Sequence, residues 1–241
     1  KMANKDWSKL IAKRIENAQG GEREELLKLS ENIPDLIRLG RGDPDLDTPE
    51  HIKQAAVKAL EQNKTHYTHW AGTPALREAI CRKLARDNAL SYTPDEIIVT
   101  TGVEEAMMCT MLALLNEGDE VIMGDPYYTS YGECVKIAGG KLVLIPTKEE
   151  NSFVLTADEI REHITEKTKL LVIVSPNNPT GTLTPAEELE KIAQLAIEKD
   201  LLVISDEIYE KIIYEDFKHI SLASLPGMKE RTIVFNGFSK A

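Results

Sequence analysis

The sequence has few cysteines, no long apolar run and a shortage of positive charge, and each shortage excludes a class of protein. Its three cysteines, Cys81, Cys109 and Cys134, are too few and too scattered for a metal site or a disulfide framework. No run approaches the ~18 apolar residues of a membrane helix, and the N-terminal residues lack the apolar core of a signal peptide. The formal net charge of −11 argues against nucleic acid or an anionic membrane as the main partner. We therefore predict a cytoplasmic protein with reduced thiols and no metal site.

An N-terminal segment precedes a long, regularly patterned region. Residues 3–30 have the spacing of an amphipathic helical arm, which Gly20-Gly21 interrupts, and residues 36–49 are rich in turn formers. No repeat, low-complexity tract or linker divides the chain after that. We predict an N-terminal arm and loop segment at 1–45 and one large domain at 46–241.

Strand and helix patterns alternate through the large domain. Apolar, β-branched runs predict strands at 96–101, 120–124, 141–145, 170–174, 201–205 and 232–236. Helical spacing predicts helices at 50–62, 103–116, 128–138, 157–164 and 185–199, and Thr73-Pro74 opens a further helix. Strands that are apolar on both faces and alternate with helices indicate a mainly parallel sheet covered by helices. The predicted fold class is α/β, with a three-layer α/β/α architecture.

Ligands of open parallel sheets bind outside the carboxyl ends of the strands, so the residues after each predicted strand are informative. Gly102 opens a helix whose first amides suit a phosphate, although a plain turn between strand and helix explains this glycine better when it is taken alone. Tyr127 and Tyr128 put aromatic rings at the sheet edge, where they could lie against a flat ring or simply form an amphipathic rim. The segment SPNNPTG at 175–181 is more rigid than a connector requires, and its asparagines offer amides to a ligand.

Two charged residues follow the last two predicted strands. Asp206 comes directly after an apolar strand, where a carboxylate needs a cationic partner, with a helix N-cap as the alternative. Lys240 follows the strand at 232–236. A desolvated lysine is a nucleophilic amine that can form a Schiff base with an aldehyde, and a solvated loop lysine is the alternative.

Together these segments resemble the fold-type I pyridoxal-phosphate-dependent aminotransferases of class I/II, the aspartate-aminotransferase-like group. The matching residues are Gly40 with Asp43-Pro44, Tyr67, Gly102, Tyr128, SPNNPTG (175–181), SDEIYE (205–210) and NGFSKA (236–241). They occur in the order and spacing of the family over nearly the whole chain. The resemblance implies the large domain of this fold and pyridoxal 5′-phosphate as the cofactor.

The resemblance also implies a role for each matching residue. Lys240 would bind the cofactor as a Schiff base and later move the proton at the substrate α-carbon. Asp206 would keep the pyridine nitrogen protonated, and Tyr209 and Asn178 would hydrogen-bond the phenolic oxygen. Asn178 is also a candidate substrate-binding residue.

Further matches concern the cofactor's ring and phosphate and the substrate. Tyr128 would stack on the ring, and the amides of Gly102, Val103 and Glu104 would surround the phosphate. Gly40 would contact the substrate carboxylate through its backbone. Tyr67 would reach the phosphate of a neighbouring subunit, which implies a homodimer with shared active sites.

The function that the resemblance implies is transfer of an amino group from an α-amino acid to a 2-oxo acid. A β-eliminating carbon–sulfur lyase of the same fold and a non-enzymatic regulator that senses the cofactor are the alternatives. Family members continue beyond the position of Lys240 into a C-terminal small domain that holds a carboxylate-binding arginine. We therefore expect this chain to lack that domain, and the 241-residue polypeptide alone to be an inactive or nearly inactive fragment.

Overall fold

The computed structural model describes residues 8–16, 26, 28–30, 33–37, 40, 42 and 44–240. They form two compact units. The sheet unit contains residues 101–239 and the described residues up to Ile37, whereas the helical unit contains the described residues from 40 to 100 together with Lys240. The domain boundary at residue 45 stays a prediction. Of the arm predicted at residues 3–30, residues 3–7, 17–25 and Leu27 lie outside the described residues.

Most predicted elements are present and end within two residues of their predicted bounds. The helices are Lys13–Glu16 (α1), Glu50–Glu61 (α2), Pro74–Asn88 (α3), Gly102–Leu114 (α4), Thr129–Ile137 (α5), Ala157–His163 (α6) and Ala186–Glu198 (α7). The strands are Glu120–Asp125 (β1), Lys141–Pro146 (β2), Thr168–Val174 (β3), Leu202–Asp206 (β4) and Thr232–Phe235 (β5). Short 3₁₀ helices lie at Ser8–Leu10, Pro94–Glu96, Glu149–Asn151, Leu222–Ser224 and Lys229–Arg231. Of the helices that the structure describes, none combines the length and hydropathy of a bilayer-spanning segment.

The five strands form one parallel sheet in the order β2-β1-β3-β4-β5. The central strands are buried on both faces because neighbouring residues point alternately to opposite sides. In β3, for example, Leu170 and Val172 belong to one core cluster, whereas Leu171 and Ile173 belong to the other. The continuous apolar runs of the sequence therefore reflect a sheet that is covered on both faces.

A different pair of helices covers each face of the sheet. Met107 and Met111 of α4 pack with residues of α5 such as Val135 against one face. Ile160 of α6 and Ile192 of α7 pack against the other face. The sheet unit is thus a three-layer α/β/α structure, as the sequence predicts.

The predicted strand at 96–101 is wrong. Ile97–Thr100 belong to the helical unit, and Ile97 has an extended backbone, but these residues do not join the sheet. Val99 N donates to Ala71 O at 3.0 Å, and the Ile98 side chain is 62% exposed. An apolar, β-branched run favours extended backbone wherever it lies, and only a partner with a free edge turns it into a strand.

Helix starts agree with the sequence signals. Thr73 Oγ1 accepts a hydrogen bond from Leu76 N at 3.4 Å, with Pro74 in the first turn of α3. The α4 helix begins at Gly102, whose φ of +79° is a conformation that residues with a Cβ rarely adopt. This glycine therefore sets the turn at the start of α4.

Candidate functional site

Polar and aromatic side chains meet at one edge of the sheet. Because β1, β3 and β4 are parallel neighbours, their carboxyl ends lie on the same side. The segments that follow them carry Tyr128, Asn178 and Tyr209, and Asp206 is the last residue of β4. The edge therefore gathers four of the residues predicted from the sequence.

Asp206 is a buried carboxylate, with 2% of its surface exposed. Its Oδ1 accepts a hydrogen bond from Ile208 N at 3.1 Å, and its Oδ2 accepts one from the hydroxyl of Tyr131. Burial raises the pKa of Asp206 to about 6, although these two hydrogen bonds oppose the rise. Within the described part of the sheet unit, no cationic nitrogen lies within 4 Å of this carboxylate. Hydrogen-bond donors thus take the place of the cationic partner that the sequence led us to expect.

Tyr131 is the residue of the site that sequence reasoning missed. It lies on α5 with 4% of its surface exposed, and its ring meets that of Tyr128 edge-on, with centroids 5.3 Å apart. Burial and the charge of Asp206 raise the pKa of Tyr131 far above its ordinary value, so the phenol keeps its proton and acts as the donor. Its spacing from Tyr128 was the available signal, because residues three apart on a helix share a face.

Replacing Tyr131 by phenylalanine is expected to make the protein less stable in a pH-dependent way. The Oδ2 atom of Asp206 would lose its donor, which costs about 1–3 kcal/mol for a buried group. The cost should be largest at pH 8, where the carboxyl is ionised, and smaller at pH 5, below its pKa of about 6. Urea unfolding at both pH values measures this. Tyr127→Phe is the matched control, and an equal loss at both pH values would contradict the assignment.

The segment at 175–181 is held tightly against the sheet edge. Ser175 N donates to Asp206 O at 3.1 Å, and Gly181 N donates to Asn177 O at 2.9 Å. The Asn177 amide donates to Pro126 O at 3.3 Å, which joins the segment to the one that follows β1. The predicted rigidity of this segment therefore has a network of hydrogen bonds as its cause.

Asn178 and Tyr209 form a polar pair beside Asp206. The Asn178 Nδ2 atom donates to the Tyr209 hydroxyl at 3.4 Å. Burial and the charge of Asp206 raise the pKa of Tyr209, so its hydroxyl is protonated near neutral pH. A cavity of about 250 Å³ adjoins the pair and is lined by Pro176, Asn177, Asn178, Pro179, Gly181, Tyr209, Ile212 and Tyr214. A small molecule in this cavity can reach both polar groups.

Gly102, Val103 and Glu104 form the first turn of α4, as predicted. Val103 is partly buried and packs on the same core cluster as Tyr128, whereas Gly102 and Glu104 are exposed. The N-terminal turn of a helix carries partial positive charge and suits an anion. These residues are on the same sheet face as the helix that carries Tyr131.

The remaining predicted site residues, Lys240, Tyr67 and Gly40, belong to the helical unit. Lys240 is partly buried, and its Nζ donates to the carbonyl of Gly42. Tyr67 has a fully exposed side chain, and Gly40 is exposed. Asp43, which the resemblance pairs with Gly40, lies outside the described residues.

Comparison with known families decides what kind of protein has this arrangement. The model of the family described as aminotransferase class I and II matches residues 34–241. The chain belongs to the class I and II aminotransferases. Aminotransferases of this family use pyridoxal 5′-phosphate, so the cofactor implied by the sequence is confirmed.

Named relatives of this aminotransferase chain act on acidic and aromatic amino acids. It is 47% identical over 231 residues to an aspartate aminotransferase of Pyrococcus abyssi, and 42% identical over 231 residues to aromatic-amino-acid aminotransferase 2 of Thermococcus litoralis. Each alignment covers 95% of this chain and 59% of the relative. The chain therefore spans about three fifths of the length of these relatives.

Solved structures agree with the family and the fold. The aspartate aminotransferase of Thermus thermophilus with maleate is 44% identical, with a TM-score of 0.90 over 95% of this chain and 60% of that structure. That of Rhizobium meliloti is 39% identical, with a TM-score of 0.91 over 96% of this chain and 59% of that structure. The three-layer architecture is thus that of pyridoxal-phosphate-dependent aminotransferases.

Proposed function

We propose that the full-length protein is an aminotransferase that moves an amino group from an α-amino acid to a 2-oxo acid with pyridoxal 5′-phosphate. The observation that carries the proposal is the buried Asp206 carboxylate at the end of β4, with the hydrogen-bonded pair Asn178 and Tyr209 beside it. The names of the relatives make aspartate or an aromatic amino acid the first donors to test.

The chemistry of the buried groups fits this cofactor. A carboxylate that is 2% exposed and lacks a cationic neighbour in the described sheet unit suits the protonated nitrogen of a pyridine ring. The phenol of Tyr209 and the amide of Asn178 suit a phenolic oxygen, and the first turn of α4 suits a phosphate. The bound cofactor supplies an aldehyde and a ring that accepts electrons.

In this proposal, the residues of the sheet unit divide the tasks of holding the cofactor. Asp206 holds a proton at the ring nitrogen, and Asn178 and Tyr209 donate to the phenolic oxygen, with Asn178 also facing the substrate. The ring of Tyr128 lies against the cofactor ring. The amides of Gly102, Val103 and Glu104 bind the phosphate.

The proposal also gives roles to Lys240 and two other residues of the helical unit. Lys240 would hold the cofactor through its side-chain amine, and the same amine would move a proton at the substrate α-carbon. Gly40 binds the substrate carboxylate through its backbone. The exposed ring of Tyr67 supports the proposal of a homodimer in which this residue reaches the other subunit.

Two further parts of the proposal concern the domain boundaries and the cellular location. The cofactor-binding domain would comprise residues 46–241, preceded by an arm and substrate-loop segment at 1–45. A cytoplasmic location rests on the three scattered cysteines, which are free in the described residues.

A donor screen tests the function directly. The purified full-length protein, loaded with pyridoxal 5′-phosphate, is mixed with aspartate, phenylalanine or tyrosine and with 2-oxoglutarate. We expect glutamate to form in step with consumption of the donor. Release of pyruvate from a cysteine S-conjugate without any 2-oxo acid would instead support the lyase. Failure to bind the cofactor at all would overturn both.

A further inference from the structure

A second buried carboxylate lies directly beyond Asp206 in the chain. Glu207 has 0% of its surface exposed. Its Oε1 accepts hydrogen bonds from the hydroxyls of Ser205 at 3.0 Å and Ser221 at 2.6 Å, and its Oε2 meets His219 Nε2 at 3.0 Å. The side chains of Ser205, Ser221 and His219 therefore contact a carboxylate that solvent does not reach.

The proton of His219 can be assigned from this geometry. Donation to the carboxylate requires the proton on Nε2, while the buried Nδ1 has no hydrogen-bond partner among the described residues. A bare nitrogen acceptor without a partner is tolerated better than a buried N–H without an acceptor. A proton on Nε2 of His219, donated to Glu207, thus fits the site.

A metal ion is a poorer explanation of the same cluster. Glu210 brings a third possible ligand, and one carboxylate oxygen each of Glu207 and Glu210 and one ring nitrogen of His219 lie within 4.8 Å of one another. However, both oxygens of Glu207 already accept hydrogen bonds. Hydrogen bonds from Ser205, Ser221 and His219 therefore account for the cluster around Glu207 without a metal ion.

The residues directly before and after Asp206 in the sequence both belong to this network. Ser205 precedes Asp206 and is hydrogen-bonded to the side chain of Glu207, which follows it. The backbone of Glu207 is fixed as well, because its N–H donates to Phe235 O of β5 at 2.8 Å. The residues next to Asp206 can therefore turn only if this buried network breaks.

We propose that Glu207 is a positioning residue that fixes the Asp206 carboxylate for a protonated ring nitrogen. Ser205, Ser221 and His219 hold Glu207 in turn. Because Glu207 is fully buried, it acts through Asp206 and does not touch the bound molecule. The inference rests on the proposed function, since it assumes that Asp206 meets the ring of pyridoxal 5′-phosphate.

The test compares two ligands that bind without a covalent bond. Pyridoxamine 5′-phosphate has the ring nitrogen, whereas its 1-deaza analogue has C–H in that position. Glu207→Gln keeps the shape of the side chain but removes its charge and one acceptor. We expect the full-length Glu207→Gln protein to bind pyridoxamine 5′-phosphate about tenfold more weakly and the deaza analogue less than about threefold more weakly. Titration calorimetry of the apoprotein measures both affinities.

Two further variants make the result decisive. Glu190→Gln makes the same change at an exposed position of α7 and should alter neither affinity. Ser221→Ala removes one of the two hydroxyls that donate to Oε1. It should weaken the binding of pyridoxamine 5′-phosphate roughly threefold, and the binding of the deaza analogue should again be affected less. If Glu207→Gln does not fold, the affinity losses of Ser221→Ala for the two ligands are compared instead, and their ratio decides.

The possible outcomes separate this inference from the proposed function. Equal losses of affinity for both ligands would mean that Glu207 has only a structural role. No loss of affinity would mean that Glu207 has no role in binding. Either result overturns the inference. A wild-type protein that does not bind pyridoxamine 5′-phosphate would instead overturn the proposed function itself.

Discussion

Replacing Lys240 by alanine is expected to lower the rate of amino-group transfer by at least about 10³-fold, the largest effect of any single substitution in this chain. One amine has two tasks in the proposed reaction, since it attaches the aldehyde and then moves the proton at the substrate α-carbon. Alanine removes both tasks at once. The visible absorbance band of the covalently attached cofactor should also disappear, because no other residue is proposed to attach it.

Stopped-flow rates and the absorbance spectrum of the full-length variant measure these effects. Lys191→Ala, at an exposed position of α7, is the matched control and should leave both unchanged. Binding of pyridoxamine 5′-phosphate needs no lysine attachment, so its retention by Lys240→Ala would show that the site is still folded. A variant that keeps the band and turns over substrate would show that Lys240 has neither task.

The sheet could be predicted from the sequence because its strands have an unusual composition. The run that became β3 is apolar at every position from Leu170 to Val174, which is favourable only where both faces are covered. The run at 96–101 is also rich in β-branched residues, yet it does not join the sheet. Local preference determines the shape of the backbone there, whereas pairing depends on a neighbour that is distant in the sequence.

Part of the candidate site could be predicted for a related reason. A parallel sheet brings strand ends together, so Asp206, Asn178 and Tyr209 could be assigned to one edge before any coordinates were known. Tyr131 could not, because a tyrosine inside an amphipathic helix has the pattern of an ordinary core residue. Its role depends on the Asp206 carboxylate 75 residues away, which its own segment does not reveal.

Asp206→Asn is expected to have opposite effects on the empty protein and on the working enzyme. In the apoprotein, Asp206 has a pKa of about 6, raised from an ordinary 3.8 mainly by burial. A group whose pKa is raised by folding contributes stability below its unfolded pKa and loses that contribution as pH rises through the folded pKa. Between 3.8 and about 6 the loss is on the order of 3 kcal/mol, and asparagine, which does not titrate, avoids it.

The Asp206→Asn apoprotein should therefore gain stability over the wild type as pH rises from 4 to 7, measured by urea unfolding at each pH. Asp119→Asn is the control, and its change in stability should have the opposite sign. The Asn116 N–H and Lys169 lower the pKa of Asp119, so its removal should cost stability at neutral pH. A stability difference for Asp206→Asn that does not change with pH would contradict the assigned pKa.

The same substitution should lower kcat/KM of the full-length enzyme by about 10²–10³-fold, because asparagine cannot balance the charge of a protonated ring nitrogen in a buried site. The asparagine oxygen can still accept from Ile208 N–H, and its NH2 group can donate to the Tyr131 hydroxyl oxygen, so the defect should be mainly one of charge and not of shape. The deaza analogue tests this point, since it has no ring nitrogen and should bind the variant and the wild type with similar affinity. If the variant lost affinity for both ligands equally, the carboxylate would be needed for the fold of the edge. If the variant lost affinity only for the ligand with a ring nitrogen, the protein would keep a costly buried charge at the end of β4 for its cofactor.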